Sequence, residues 1–222
     1  MKDQYHINLE QYSLQKFKNN LQLRDMISSR VSLKDDLDER FKILEDRGIT
    51  NHKELIDILK TKSKIEQFSK ETGLSIGYLT LLNREAKSYL SNPIRLDKFP
   101  GVLKKYVEKL ETMGIKNSRH LFNAAKDKHD RAVLSQNTDI PIGILDELVG
   151  LADLARIYGV GPVFARMIFD VGIKSVKEFA ENTAEEFVMI YEKETGKKAD
   201  FGANEIEFSL ELAKELEIAV EL

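Results

Sequence analysis

The strongest constraint on the fold of this chain is that it repeats itself. Leu44-Glu45-Asp46-Arg47-Gly48-Ile49-Thr50-Asn51 recurs 66 residues later as Leu110-Glu111-Thr112-Met113-Gly114-Ile115-Lys116-Asn117. The same offset of 66 carries residues 69–79 onto 135–145 without a gap. A third copy starts at offset 58, where Asp170-Val171-Gly172-Ile173-Lys174-Ser175 matches the same turn. Three successive units of about sixty residues imply a structure made by stacking one supersecondary element on the next.

Within each unit the period is helical. Apolar residues recur at spacings of three and four in Phe41, Ile43 and Leu44, in Tyr106, Val107 and Leu110, and in Phe164, Met167, Ile168 and Val171. Each of these helices runs into a glycine suited to a left-handed C-cap, followed by an isoleucine that can pack back on the last turn. The next helices begin after Thr50-Asn51, Asn117-Ser118 and Lys174-Ser175, where short polar side chains can cap free N–H groups. Leu55, Leu121 and Phe179 then face the core. Outside the repeat, residues 1–32 read as an N-terminal extension with a short extended piece from Tyr5 to Leu9 and a helix capped by Ser13. The units then run over 33–98, 99–156 and 157–222. No Gly/Ser-rich or Pro-rich stretch is long enough to let them move freely, so one continuous, compact or slightly elongated all-α body is expected.

A hairpin precedes each repeated helix. The third, Ile157-Tyr158-Gly159-Val160-Gly161-Pro162, has two glycines that permit positive φ and a proline suited to the first helical position. Such a turn can direct backbone N–H groups and a positive helix end outward, one physical way to hold a phosphate. It resembles the helix-hairpin-helix turn of DNA-repair and replication proteins, where a lysine and a small polar residue often follow the proline. Here Val163 and Phe164 stand there, and Arg156, Arg166 and Lys174 are the cations that can substitute. The second hairpin, Phe99-Pro100-Gly101-Val102-Leu103-Lys104-Lys105-Tyr106, keeps the lysines and loses a glycine. With Lys98 and Lys109 nearby it is the best basic patch in the chain. The first, Leu33-Lys34-Asp35-Asp36-Leu37-Asp38-Glu39, is acidic and repels phosphate. The candidate nucleic-acid contacts are therefore Gly101, Val102, Lys104, Lys105, Gly159, Val160, Gly161 and Arg166.

Other chemistries find no residues. The chain has no cysteine, which excludes disulfides and thiolate metal sites and suits a reducing, cytoplasmic location. Its beginning is too polar for a signal peptide, and no apolar run is long enough to span a bilayer. His6, His52, His120 and His129 do not recur between units and lack metal-ligand spacing. Neither a phosphate-binding Gly-rich loop ending in Lys-Ser/Thr nor a serine elbow is present, so no enzyme activity, cofactor or metal is expected. Residues 68–79 have the helix, glycine turn, polar cap and second helix of a helix-turn-helix. Ile76, Gly77 and Tyr78 open the second helix without base-reading side chains, which makes it an ordinary corner.

The run Asp153-Leu154-Ala155-Arg156-Ile157, the segment Tyr158-Gly159-Val160-Gly161-Pro162-Val163 and the recurring Gly-Ile turns together resemble an uncharacterised helix-hairpin-helix relative, domain of unknown function 4332. The resemblance is clearest over residues 96–216 and extends more weakly back to Leu33. It implies an all-helical fold of hairpin repeats and an interaction with nucleic acid or protein, but no activity or binding residues. Two functions fit these features. One is a non-enzymatic protein whose hairpins contact nucleic-acid phosphates without reading sequence. The other is a protein-interaction or scaffold module with structural hairpins, whose partner surface is the acidic segment 178–222. That segment holds 13 acidic and four basic residues, a net of −9 against −3 for the whole chain, which leaves +6 for residues 1–177.

Overall fold

Helix boundaries in the computed structural model, which describes residues 4–222, follow the punctuation written in the sequence. The described residues form 13 α-helices and two short 3-10 turns, with two isolated bridges and no strand. The chain is therefore all-α. The segment expected to be extended near Tyr5 is irregular, although Tyr5 and Ile7 are buried.

The chain divides into two compact units. The first spans residues 8–90 and contains α1 (Leu14–Leu23), α2 (Leu37–Asp46), α3 (His52–Ile58), α4 (Lys62–Thr72) and α5 (Ile76–Ser88). The second, residues 4–7 and 91–222, contains α6 (Lys104–Thr112), α7 (Ser118–Ala125), α8 (Lys128–Thr138), α9 (Ile142–Leu154), α10 (Pro162–Asp170), α11 (Val176–Ala180), α12 (Ala184–Thr195) and α13 (Ala203–Ala213). The sequence partition at 32/33 and 98/99 differs from this one for a physical reason. Helix α1, capped by Ser13, packs on α2 and α3 and joins the first unit. Residues 94–96 exchange backbone hydrogen bonds with residues 116–118 and so join the second.

The Gly-Ile turns have one geometry. Gly48, Gly114 and Gly172 lie at φ +79°, +80° and +98°. In each turn the glycine N–H donates three residues back and the isoleucine N–H five residues back: Ile49 to Leu44, Ile115 to Leu110, Ile173 to Ile168. This is the Schellman arrangement, and Ile49, Ile115 and Ile173 are buried by it. Three residues past each glycine, the side chains of Asn51, Asn117 and Ser175 accept from the N–H groups of Glu54, His120 and Glu178. Each cap turns the chain into a short helix with one apolar face.

The first N–H of that short helix also needs an acceptor, and the chain solves this twice in one way and once in another. His52 N–H donates to Tyr12 O at 2.9 Å and Ser118 N–H to Ile94 O at 2.8 Å, both carbonyls of a passing segment. Val176 N–H instead donates to the Asp153 carboxylate at 2.8 Å. Asp153 is fully enclosed, and burial pushes its pKa up despite the opposing pull of Arg156. Arg156 is buried with it. Its guanidinium binds the Asp153 carboxylate and donates to Tyr5 O, Gln4 O and Glu217 O at 3.2, 2.9 and 2.8 Å. It also lies 4.5 Å above the Phe122 ring. One buried ion pair thereby fastens segments from both ends of the second unit's chain to α9 and α11.

The core of the first unit is aromatic. Tyr12, Phe17 and Tyr89 surround His52 with ring centroids 4.6–5.5 Å away. His52 Nε2 meets Ala86 O at 2.8 Å, while burial drives the imidazole pKa down to about 4. The histidine is thus a neutral core residue. Glu85, also buried, is held by Arg24 and Arg30.

Candidate nucleic-acid interface

An α-helix begins with N–H groups that have no intrahelical partner, and most helices here satisfy one with a side chain. Ser13, Asn51, Thr61, Ser75, Asn117, Asp127, Ser175 and Thr183 all do so. The helices entered through the three hairpins do not. Asp36, Leu103 and Gly161 stand at the N-caps of α2, α6 and α10 and none makes a side-chain cap hydrogen bond. Leucine and glycine have no oxygen to offer, so this openness is written in the sequence.

In the second hairpin Pro100 and Gly101 form the middle of a turn closed by Val102 N–H to Phe99 O at 3.3 Å, with Gly101 at φ +80°. Phe99 is buried beneath it. Leu103 then leads into α6, and the N–H groups of Leu103, Lys104 and Lys105 take no acceptor within the described chain. Lys98, Lys104 and Lys105 are exposed around them. Lys104 is 87% exposed and only loosely paired with Glu108 at 3.4 Å; the Lys105 ammonium sits 4.8 Å from the Tyr106 ring. Lys109 belongs elsewhere. Its ammonium donates to Thr138 O and Asp139 O at 2.7 and 3.2 Å, closing the end of α8.

The third hairpin repeats the turn without the charge. Val160 N–H closes it on Ile157 O at 3.1 Å, and Gly159 takes φ +76°. Gly161 departs from expectation: at φ −83° it is extended and not left-handed. The N–H groups of Gly161, Val163 and Phe164 are without acceptors in the described chain, while Pro162 has none to offer. The three cations expected to serve them are engaged elsewhere. Arg166 points back, donating to Pro100 O at 2.8 Å and meeting Glu147 and Asp170 at 2.5 and 3.4 Å. Its guanidinium lies against Gly101, where an added Cβ would come within 3.7 Å of it. Arg166 therefore joins the second hairpin to α10. Arg156 is buried, and Lys174 donates to Phe169 O at 2.7 Å over the Phe169 ring. The side chain of Ser209 in α13 approaches Gly159, and the Tyr158 and Phe208 rings meet edge to face at 4.8 Å.

The first hairpin is acidic in place as in sequence. Asp36 is left-handed at φ +45°, Asp38 and Glu39 occupy the first turn of α2, and Asp38 pairs with Lys18 at 2.7 Å.

Of the eight candidate positions, Gly101 and Gly159 make the turns, Lys104 and Lys105 provide exposed charge, and Gly161 leaves its amide open. Val102 and Val160 use their N–H groups to close the turns, so neither can donate to a ligand. Leu103, Val163 and Phe164, whose amides are also open, are not among the eight because their side chains carry no polar atom. The usable signal was a residue without a side-chain oxygen at an N-cap.

Residues 100–200 match the model of a family described as a domain of unknown function (DUF4332). That stretch contains the glycine-rich hairpin and all of the lysine-bearing one except Phe99. Neither a curated protein nor a solved structure matches the chain. Among the described residues no helix is long and apolar enough to cross a membrane, and no group of three His, Asp or Glu could hold a metal ion.

Proposed function

We propose that this is a non-enzymatic protein whose second hairpin, Phe99 to Tyr106, binds the phosphate backbone of a nucleic acid without reading its sequence. It works as a helix-hairpin-helix element. One observation carries the reading: an uncapped helix N-terminus, a left-handed glycine turn and two unburied lysines coincide at α6 and nowhere else among the three hairpins. Amides of Leu103, Lys104 and Lys105 donate to phosphate oxygens, and Lys98, Lys104 and Lys105 displace counterions. The third hairpin supplies open amides but its expected cations are engaged elsewhere, so its part is secondary. The proposal carries a cytoplasmic location, consistent with a chain that has no cysteine.

Fluorescence anisotropy with unrelated duplex and single-stranded oligonucleotides across a salt series tests it. Lys104→Ala with Lys105→Ala should weaken binding equally on every sequence and lower the log–log salt slope by about 2. An unchanged slope would remove the hairpin from the interface.

Protein docking has its own support. Leu103 and Val163 are 53% and 69% exposed beside the hairpins, and α13 with its outward Glu205, Glu207 and Glu211 follows the third one. Under that reading a basic partner binds the acidic face, and the protein is retained by a polycation but not by DNA.

A further inference from the structure

We infer that the α4–α5 corner of the first unit is a second docking surface, built for duplex DNA, with α5 facing a groove and the lysines at the start of α4 on the backbone. This does not rest on the hairpin proposal, which concerns the other unit. The sequence objection to the corner was that Ile76, Gly77 and Tyr78 carry no base-reading groups. Folding removes it. Tyr78 turns into the core, and the outward face of α5 consists of Ile76, Gly77, Thr80, Arg84 and Lys87.

The corner is rigid in the way a groove-reading helix requires. Helix α4 ends at Gly73, left-handed at φ +77°, and Ser75 caps α5 by accepting from Tyr78 N–H at 3.1 Å. Phe68, Leu74, Leu79 and Leu82 are buried between the helices and the rest of the unit. Ser69 Oγ donates to Leu74 O at 2.6 Å across the turn. Charge complementarity names the partner. Residues 60–87 carry six basic and three acidic residues. Lys60, Lys62, Lys64, Lys70, Arg84 and Lys87 are all exposed, whereas Glu85 is buried between Arg24 and Arg30, Glu71 lies 3.6 Å from Arg47 and Glu66 lies 3.8 Å from Lys62, which is itself 89% exposed. Arg84 and Lys87 form no ion pair among the described residues. An arginine on the outward face of the helix suits guanine in the major groove, and Ile76 suits a thymine methyl.

The corresponding corner of the second unit shows that the fold does not demand this face. Counting on by 66, Thr80, Arg84 and Lys87 correspond to Asp146, Gly150 and Asp153. Asp146 pairs with Arg131 at 2.6 Å, Asp153 is buried, and a Cβ on Gly150 would come within 2.7 Å of Lys174 O. In α9 the last two of those positions are buried and the first is taken by Arg131; in α5 all three are exposed and the last two are basic.

Two variants of the full chain test the surface. Arg84→Glu with Lys87→Glu reverses its charge. Gly77→Glu places a carboxylate in the first turn of α5, where space is open and the helix dipole favours it, so folding is preserved. Thermal unfolding checks both. Each should weaken binding to duplex DNA at least tenfold, and major-groove competitors should displace the wild type more readily than minor-groove ones. Duplex affinity within twofold of wild type in both variants overturns the inference, whatever Lys104→Ala with Lys105→Ala does. Loss in the hairpin variant alone leaves only the hairpin proposal standing; loss in the α5 variants alone leaves only this one. Absence of duplex binding by the wild type at low salt refutes it outright.

Discussion

Replacing Arg156 by methionine keeps the side-chain volume nearly constant and deletes the guanidinium donors to Asp153, Tyr5 O, Gln4 O and Glu217 O. The carboxylate of Asp153 then remains buried with only the Val176 N–H. Removing one partner of a buried pair costs about 3–5 kcal/mol. For a chain of this size each kcal/mol lowers Tm by roughly 2–4 °C, so a fall of about 6–20 °C is expected. The loss should depend on pH with a definite sign. Burial already holds the Asp153 pKa above its unfolded value, and loss of Arg156 raises it further. A raised carboxylate is stabilising below its unfolded pKa of about 3.9 and loses that contribution as pH climbs through the folded value. The deficit of R156M relative to wild type should therefore be largest at neutral pH and shrink on acidification. Adding Asp153→Asn removes the stranded charge and leaves an acceptor for Val176 N–H. The double variant should then be more stable than the sum of the single losses by about 2 kcal/mol or more. Urea unfolding of the four proteins followed by circular dichroism measures all of this. A loss under about 1 kcal/mol, or additive singles, would refute the account of Arg156 as the pin of the second unit.

Two further perturbations probe the core. His52 is neutral when folded, with its pKa at about 4 against an ordinary 6.5, so the unfolded chain binds the proton first as pH falls. Stability of the first unit should drop by on the order of 3 kcal/mol between those pH values, and His52→Gln should flatten that dependence in pH-resolved denaturant melts. Gly150→Ala should destabilise by roughly 1–3 kcal/mol because its Cβ would strike Lys174 O and the Phe169 ring, whereas Gly143→Ala, with open space around it, should stabilise by about 0.5–1 kcal/mol. Equal effects from the two would contradict the close approach of α9 to the chain after α10.

The helical period and the Gly-Ile punctuation were legible because each turn is a local matter: a left-handed glycine, an isoleucine behind it and a cap three residues on. Local rules also gave the acidity of Asp36 to Glu39. What sequence could not give was direction. Arg166 has the charge and the position of a phosphate ligand, but Glu147 and the Pro100 carbonyl draw it inward. Arg156, part of a conspicuous Asp-Leu-Ala-Arg run, is buried against Asp153 and the carbonyls of Tyr5, Gln4 and Glu217. Both depend on segments distant in the chain. The first unit's α5 shows the converse, since a helix opening that reads as apolar in sequence presents its basic residues two turns later.

The most direct test of the central claim is an amide NMR titration of the full chain with a short duplex. The N–H groups of Leu103, Lys104 and Lys105 are predicted to move first and furthest among the hairpin signals, followed by Val163 and Phe164, with Val102 and Val160 nearly still because their bonds close the turns. Shifts that avoid the start of α6, or the absence of any change at low salt, would show that the open helix N-terminus is not where a phosphate is held.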